Sequence, residues 1–78
     1  MKAVIKPGRA RDELLSLRQA RTQYLKLKAT PENCTAVGKL LREMEVFRIV
    51  YVEYTELVMG WELELLRAYP GVRESAEV

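Results

Sequence analysis

The chain contains no histidine and only one cysteine, Cys34, among its 78 residues. A disulfide within the chain is therefore excluded. A zinc site needs several thiolate or imidazole ligands, and the sequence offers too few of them. A nucleophile of the Cys–His type is impossible without histidine. We expect a protein that is not an enzyme and that binds no metal and no cofactor.

Long apolar runs are also missing. The most apolar stretch, residues 46–52, contains Arg48 and is followed by Glu53. It therefore falls short of the roughly 20 apolar residues of a transmembrane helix. The first six residues lack the apolar segment of a signal peptide, and a single unpaired cysteine suits a reducing compartment. These features predict a soluble, cytoplasmic protein without membrane association.

Proline and glycine are few, and their positions divide the chain. Pro7-Gly8 and Pro70-Gly71 are typical of breaks between elements. Thr30 followed by Pro31 is typical of a helix start, because a threonine hydroxyl can cap the first turn and proline suits the first helical position. We predict one helical domain in four segments: an N-terminal arm (residues 1–8), helix 1 (9–29), helix 2 (31–69) and a flexible tail (72–78).

Ten positions in helix 2 are apolar or aromatic at spacings that alternate between three and four residues. This heptad pattern is typical of a long helix that packs against other helices. The fold class is therefore predicted to be all-α, a helical hairpin of a short basic helix and a long heptad-patterned helix. Gly60 is a candidate kink, since glycine weakens a helix interior. The ten positions, called the heptad stripe below, are Val37, Leu40, Met44, Phe47, Tyr51, Tyr54, Val58, Trp61, Leu65 and Ala68.

Residues 46–54 leave a second fold open, because they consist largely of strand-forming residue types. A strand here, paired with residues 2–6, would give an α+β fold. However, the heptad pattern continues in phase through the segment. No glycine, proline or asparagine interrupts residues 39–59 to bound a strand with a turn. The period of the pattern therefore favours a helix.

The heptad stripe predicts self-association. Helix 1 covers only about half of helix 2, which would be about 58 Å long at 1.5 Å per residue. Val46, Ile49, Val50 and Val52 lie off the stripe, so the middle of helix 2 is apolar nearly all round. Such a helix needs cover on more than one side. We predict a coiled-coil-like homodimer forming a helical bundle, and a protein partner. The predicted protein interface comprises Phe47, Tyr51, Tyr54, Val58, Trp61 and Leu65.

Charge is distributed unevenly along the chain. Residues 1–30 carry eight basic and two acidic side chains, a net charge of +6, whereas residues 31–78 carry five basic and nine acidic side chains, a net charge of −4. The two halves could attract each other in the folded protein, or the basic half could meet an anion such as nucleic acid. The candidate nucleic-acid contacts are Arg9, Arg11, Arg18 and Lys26.

The sequence therefore leaves two functions in competition. The first is a small non-enzymatic interaction module, a regulatory or adaptor protein that binds another protein through helical surfaces and self-associates. The alternative is a nucleic-acid-binding protein that uses the basic N-terminal half.

Overall fold

The computed structural model describes residues 7–72 as a succession of helices. Three α-helices, α1 (Pro7–Leu25), α2 (Pro31–Val50) and α3 (Thr55–Ala68), are accompanied by a 3-10 helix at Val52–Tyr54 between α2 and α3. Residues 7–72 contain no strand, so the all-α prediction is confirmed and the α+β alternative is wrong. Residues 1–6 of the predicted arm (1–8) and residues 73–78 of the predicted tail (72–78) lie outside the described residues. Pro7 and Gly8, which were assigned to the arm, begin α1, and Val72, which was assigned to the tail, has helical geometry. None of the described helices is long and apolar enough to cross a membrane.

Helix α1 ends at Leu25, earlier than the predicted boundary at residue 29. Beyond Leu25 the backbone hydrogen bonds join residues three apart instead of four. The N–H of Lys26 bonds to the carbonyl of Gln23, and the N–H of Leu27 bonds to the carbonyl of Tyr24. The last carbonyls of a helix have no partner within the helix and need one from elsewhere. Two of the carbonyls in this last turn and just beyond it are satisfied by a residue far along the chain, Tyr69.

Helix α2 begins at Pro31, and its first turn is closed by side chains. The hydroxyl of Thr30, which has extended backbone angles, accepts a hydrogen bond of 3.2 Å from the N–H of Asn33. The side-chain amide of Asn33 donates back to the carbonyl of Lys28 over 2.7 Å. These two bonds fix the connection between α1 and α2 because they satisfy a free donor of the helix and an acceptor of the loop.

The prediction of one continuous helix over residues 31–69 is wrong. At Tyr51 the backbone leaves the helical region (φ −114°, ψ 78°), and α3 starts after the 3-10 helix. Gly60 lies inside α3, so the break falls before it. The broken segment, Val50–Val52, combines β-branched and aromatic residues, which lose side-chain freedom in a helix. The hydroxyl of Thr55 donates to the carbonyl of Arg48 across the break, at 3.3 Å.

The break permits α3 to turn back along α2. Arg48 is paired with Glu62, whereas Gly38 approaches Val72, so the two helices run antiparallel. The burial gained by folding α3 onto α2 stabilises the protein more than the hydrogen bonds lost at the break destabilise it. A buried side chain such as Val58 contributes about 1.5–3 kcal/mol, whereas each backbone hydrogen bond given up costs only about 0.5–1.5 kcal/mol. The chain therefore gives up a continuous helix over residues 31–69 and buries the apolar residues of α3 against α2 instead.

Helix α1 completes the core by running in the same direction as α3. Arg21 contacts Glu64, and Tyr24 contacts Tyr69 further along both helices. The three helices thus alternate in direction along the chain and share one apolar core. The buried members of this core are Leu17, Val37, Leu40, Met44, Phe47, Val58, Trp61, Leu65 and Tyr69.

Tyr69 ties the end of α3 to the end of α1. Its side chain is fully buried, and its hydroxyl donates to the carbonyl of Tyr24 at 2.5 Å, with the carbonyl of Leu27 at 3.4 Å. Its ring meets that of Tyr24 edge to face, with centroids 6.5 Å apart. Burial raises the pKa of Tyr69, since the phenolate would lose its hydration.

Tyr69→Phe should lower the free energy of unfolding by about 0.5–1.5 kcal/mol, because the buried bond from the Tyr69 hydroxyl to the Tyr24 carbonyl is lost while that carbonyl keeps the N–H of Leu27. The raised pKa means that the folded state holds this proton more tightly than the unfolded state. The associated stability is present below a pH of about 10 and is lost as the pH rises through the folded-state pKa. Denaturant titrations at neutral and alkaline pH should show a smaller alkaline loss in Tyr69→Phe than in the Tyr54→Phe control. Equal alkaline losses in both variants would contradict this role.

Candidate interaction surface

The predicted interface residues lie mainly in the core of the single chain. Phe47, Val58, Trp61 and Leu65 are buried, with Val58 and Leu65 fully so. The expectation that they remain uncovered is therefore wrong, because it depended on a straight helix over residues 31–69. The heptad stripe is instead covered by being folded onto itself at Tyr51. Self-association stays a prediction, but it needs a different surface.

The aromatic residues at the turn form a cluster of tilted rings. The ring of Phe47 lies 4.8 Å from that of Tyr51 and 5.7 Å from that of Tyr54, measured between centroids. The two tyrosines are half-buried. Aromatic contacts at such distances contribute about 0.5–1.5 kcal/mol beyond the area they bury. The contacts among these three rings therefore stabilise the turn.

Ion pairs hold α3 to both other helices. Arg48 Nε donates to Glu62 over 2.8 Å, with both side chains largely buried, and this bond raises the pKa of Arg48. Arg21 Nε donates to Glu64 over 2.6 Å and lowers the pKa of that carboxyl. The Arg21 guanidinium also lies 5.5 Å from the centre of the Trp61 ring, within the range of a cation–π contact. One cation of the basic half is thus paired, at the surface of the same chain, with a carboxylate of the acidic half.

The basic residues predicted to contact nucleic acid lie on the exposed surface of α1 and just beyond it. Arg11, Arg18 and Lys26 are exposed, and Arg9 forms an exposed ion pair with Glu13 at 3.4 Å. Arg18 and Lys26 border one shallow hollow on the surface. Its other lining residues are Leu15, Gln19, Thr22, Gln23 and Leu27.

A second surface is apolar and lies at the C-terminal end of α2. Val46, Ile49 and Val50 share the spacing i, i+3, i+4 and are therefore neighbours on one side of the helix. Val52 follows them in the 3-10 helix. These four residues, called the apolar patch below, are each 54–69% exposed. The sequence shows these four residues as apolar positions outside the heptad stripe. The predicted interface consists instead of residues of the stripe.

A groove of about 970 Å³ runs between α2 and α3. Its lining includes Cys34, Gly38, Leu41, Leu66 and Val72, and its edges carry charged residues of both signs. Within residues 7–72, no group of three or more acidic or cysteine side chains is placed to hold a metal ion. The groove is a mixed, open surface, whereas the apolar patch is uniform in chemistry.

No protein-family model, curated protein or solved structure matches the chain.

Val58→Ala and Val46→Ala delete the same atoms from a core position and from the apolar patch. We expect Val58→Ala to lower the free energy of unfolding by about 2–3 kcal/mol, because it leaves a cavity in the core. Val46→Ala should change it by no more than about 0.5 kcal/mol, as an exposed substitution does. Urea titrations at low protein concentration measure both values. A large loss of stability in Val46→Ala would mean that this residue belongs to the folded core.

Proposed function

We propose that the chain is a non-enzymatic interaction module, a small regulatory or adaptor protein of the cytoplasm that binds another protein through the apolar patch. The observation that carries this proposal is the exposure of four neighbouring apolar side chains at the end of α2. The largest apolar patch on a typical monomer covers about 300–600 Å² and is often functional. A reducing compartment would keep Cys34 in its free form.

The position of the apolar patch suits a binding surface. Val46, Ile49 and Val50 stand on a helix whose other side is held by the buried residues Met44 and Phe47. Backbone and side-chain ordering is a large part of the cost of association, and in a preformed helix most of that ordering has already taken place. Each of these side chains would contribute part of the roughly 1.5–3 kcal/mol of full burial, because 54–63% of its surface is still exposed.

Photo-crosslinking in cells tests this function. A benzophenone amino acid at position 49 should give discrete crosslinked species, because the apolar patch would lie against a protein partner. The same group at position 63, where Leu63 is similarly exposed on α3, is the matched control. We expect crosslinking at 49 to disappear when Val46→Asp is added, and no comparable product from 63.

Two outcomes would contradict the function. One is the absence of any product from position 49. The other is an identical set of crosslinked products from positions 49 and 63, which would indicate non-specific crosslinking rather than a defined interface.

Nucleic-acid binding is the second candidate function. The observation that favours it is the hollow on α1, where Arg18 and Lys26 stand beside the polar side chains of Gln19, Thr22 and Gln23. Cations neutralise phosphates, and amide and hydroxyl groups can donate to phosphate oxygens. Arg11 extends the same exposed side of α1.

Salt dependence tests the second candidate. If Arg18 and Lys26 neutralise phosphates, the logarithm of the affinity for a DNA duplex should fall linearly with the logarithm of the salt concentration. Arg18→Gln with Lys26→Gln should reduce the slope by about 0.9 for each phosphate that is no longer neutralised. Lys39→Gln with Arg67→Gln removes the same charge from α2 and α3 and should leave most of the slope. Equal reductions in both pairs, measured by fluorescence anisotropy, would indicate a general charge effect without a site on α1.

A further inference from the structure

We propose that the partner at the apolar patch is a second copy of this chain, docked about a two-fold axis with the two α2 helices antiparallel. This inference rests on the proposed function, because it names the occupant of the same surface. Its basis is the order of exposed side chains on the outer side of α2 and in the 3-10 helix that follows it. Arg42, Val46 and Ile49 are spaced i, i+4, i+7 and are all exposed, and the exposed Glu53 follows in the 3-10 helix.

This order is basic, apolar, apolar, acidic, and it is complementary to its own inverted copy. A two-fold interface requires such a surface, because each residue meets in the partner the residue that the partner presents to it. With the axis between Val46 and Ile49, Val46 faces the partner's Ile49. Arg42 then faces the partner's Glu53 in the same register. Both contacts occur twice in the dimer.

Arg42 and Glu53 lie the same number of residues before and after the midpoint between Val46 and Ile49. Arg42 lies about 8 Å from the midpoint between Val46 and Ile49, at 1.5 Å per residue. Glu53 lies just past the end of α2 on the other side of that midpoint. Among the ion pairs of residues 7–72, neither Arg42 nor Glu53 takes part. Both groups are therefore free to pair between copies.

The charged residues Arg42 and Glu53 and the apolar residues Val46 and Ile49 contribute differently to this dimer. The apolar centre supplies affinity, since covering it removes apolar surface from water. The charges at the rim set orientation and register and add less to affinity. Glu43 and Glu45 are exposed beside the line of Arg42 and Val46, where a hydrated rim accommodates them. The patch is smaller than the roughly 800 Å² per partner of a standard interface. The dimer is therefore expected to be weak and concentration-dependent.

Charge reversal provides a test that separates an interface from an effect within one chain. Arg42→Glu places two acidic groups opposite each other in the homodimer, and Glu53→Arg places two basic groups opposite each other. Each single variant should therefore dimerise about tenfold more weakly than the natural chain. In an equimolar mixture of the two single variants, one of the two charge pairs in the heterodimer joins Arg42 to Glu53 and the other joins the two reversed side chains. Both pairs are therefore complementary again, and sedimentation equilibrium should show that the mixture associates about as strongly as the natural chain.

Ile49→Asp should abolish the dimer, whereas the matched Leu63→Asp on α3 should leave it intact. Far-UV circular dichroism and thermal melts check that all variants remain folded, which is expected because the substituted side chains are exposed. The result that supports the inference is recovery on mixing together with dissociation of Ile49→Asp. A natural chain that stays at 9.0 kDa up to a concentration of about 1 mM would overturn it. A dimer that does not respond to mixing would overturn it as well.

The failure of this inference differs from a failure of the proposed function. Crosslinks from position 49 to a protein other than this chain would leave the interaction module in place and exclude the second copy as its principal partner. Products at twice the chain mass, absent in Val46→Asp and without a product containing another protein, would support the second copy as the partner and contradict binding of another protein at this surface.

Discussion

The turn at Tyr51 is the constraint on which the packing of residues 7–72 depends. It brings the second half of the heptad stripe back against the first, so that Val58 and Leu65 are covered by residues of the same chain. Without it, α3 would continue away from α2, and Arg48 and Glu62 could not meet. The turn also leaves the outer side of α2 without cover. One local departure from helical geometry therefore determines both the core and the surface that remains available for binding.

Once α3 has turned back, its far end is fixed by Tyr69. A residue that ends one helix donates to the last turn of another, so the length of α1 and the position of the α3 terminus are set together. A related close approach occurs at Gly71, where an added Cβ would lie 3.2 Å from Cys34 Sγ. This end of the molecule is held by side-chain shape and one hydroxyl group, whereas ion pairs of Arg21 and Arg48 hold α3 further along, with Arg48 close to the turn.

Much of the core could be predicted from the spacing of apolar residues, because a heptad pattern identifies the side of a helix that is buried. Val37, Met44, Val58 and Leu65 follow that pattern and are buried. The same pattern could not locate the turn, because it continues in phase across it. The signal for the turn was the strand-forming composition around Tyr51, which competes with helix formation. Tyr69 lies outside the heptad stripe, whose last position is Ala68. Pro70, which follows Tyr69, was the available sequence signal that the helix ends there.

The candidate site was predicted less well than the core. The stripe residues were assigned to an interface because a straight helix would have exposed them, and folding the helix back reversed that assignment. The off-stripe residues Val46, Ile49, Val50 and Val52 kept their exposure, since no described helix lies over that side of α2. The uneven charge distribution predicted one attraction between the two halves, since Arg21 pairs with Glu64 within the chain, whereas Arg18 takes part in none of the ion pairs of residues 7–72. Periodicity specifies which residues need cover, but the path of the chain decides what covers them.

The short connections between the helices have a kinetic consequence. Arg48 and Glu62 are separated by 14 residues, whereas Tyr24 and Tyr69 are separated by 45. The entropy lost in closing a loop grows with its length, so contacts across a single connection cost less to form than the contacts between α1 and α3. Loop-closure entropy thus favours early pairing of helices that are neighbours in the chain, with the α1–α3 contacts forming afterwards. Helical domains dominated by such local contacts fold in microseconds to milliseconds. A chain of this design spends little time with the residues of its core exposed to other molecules.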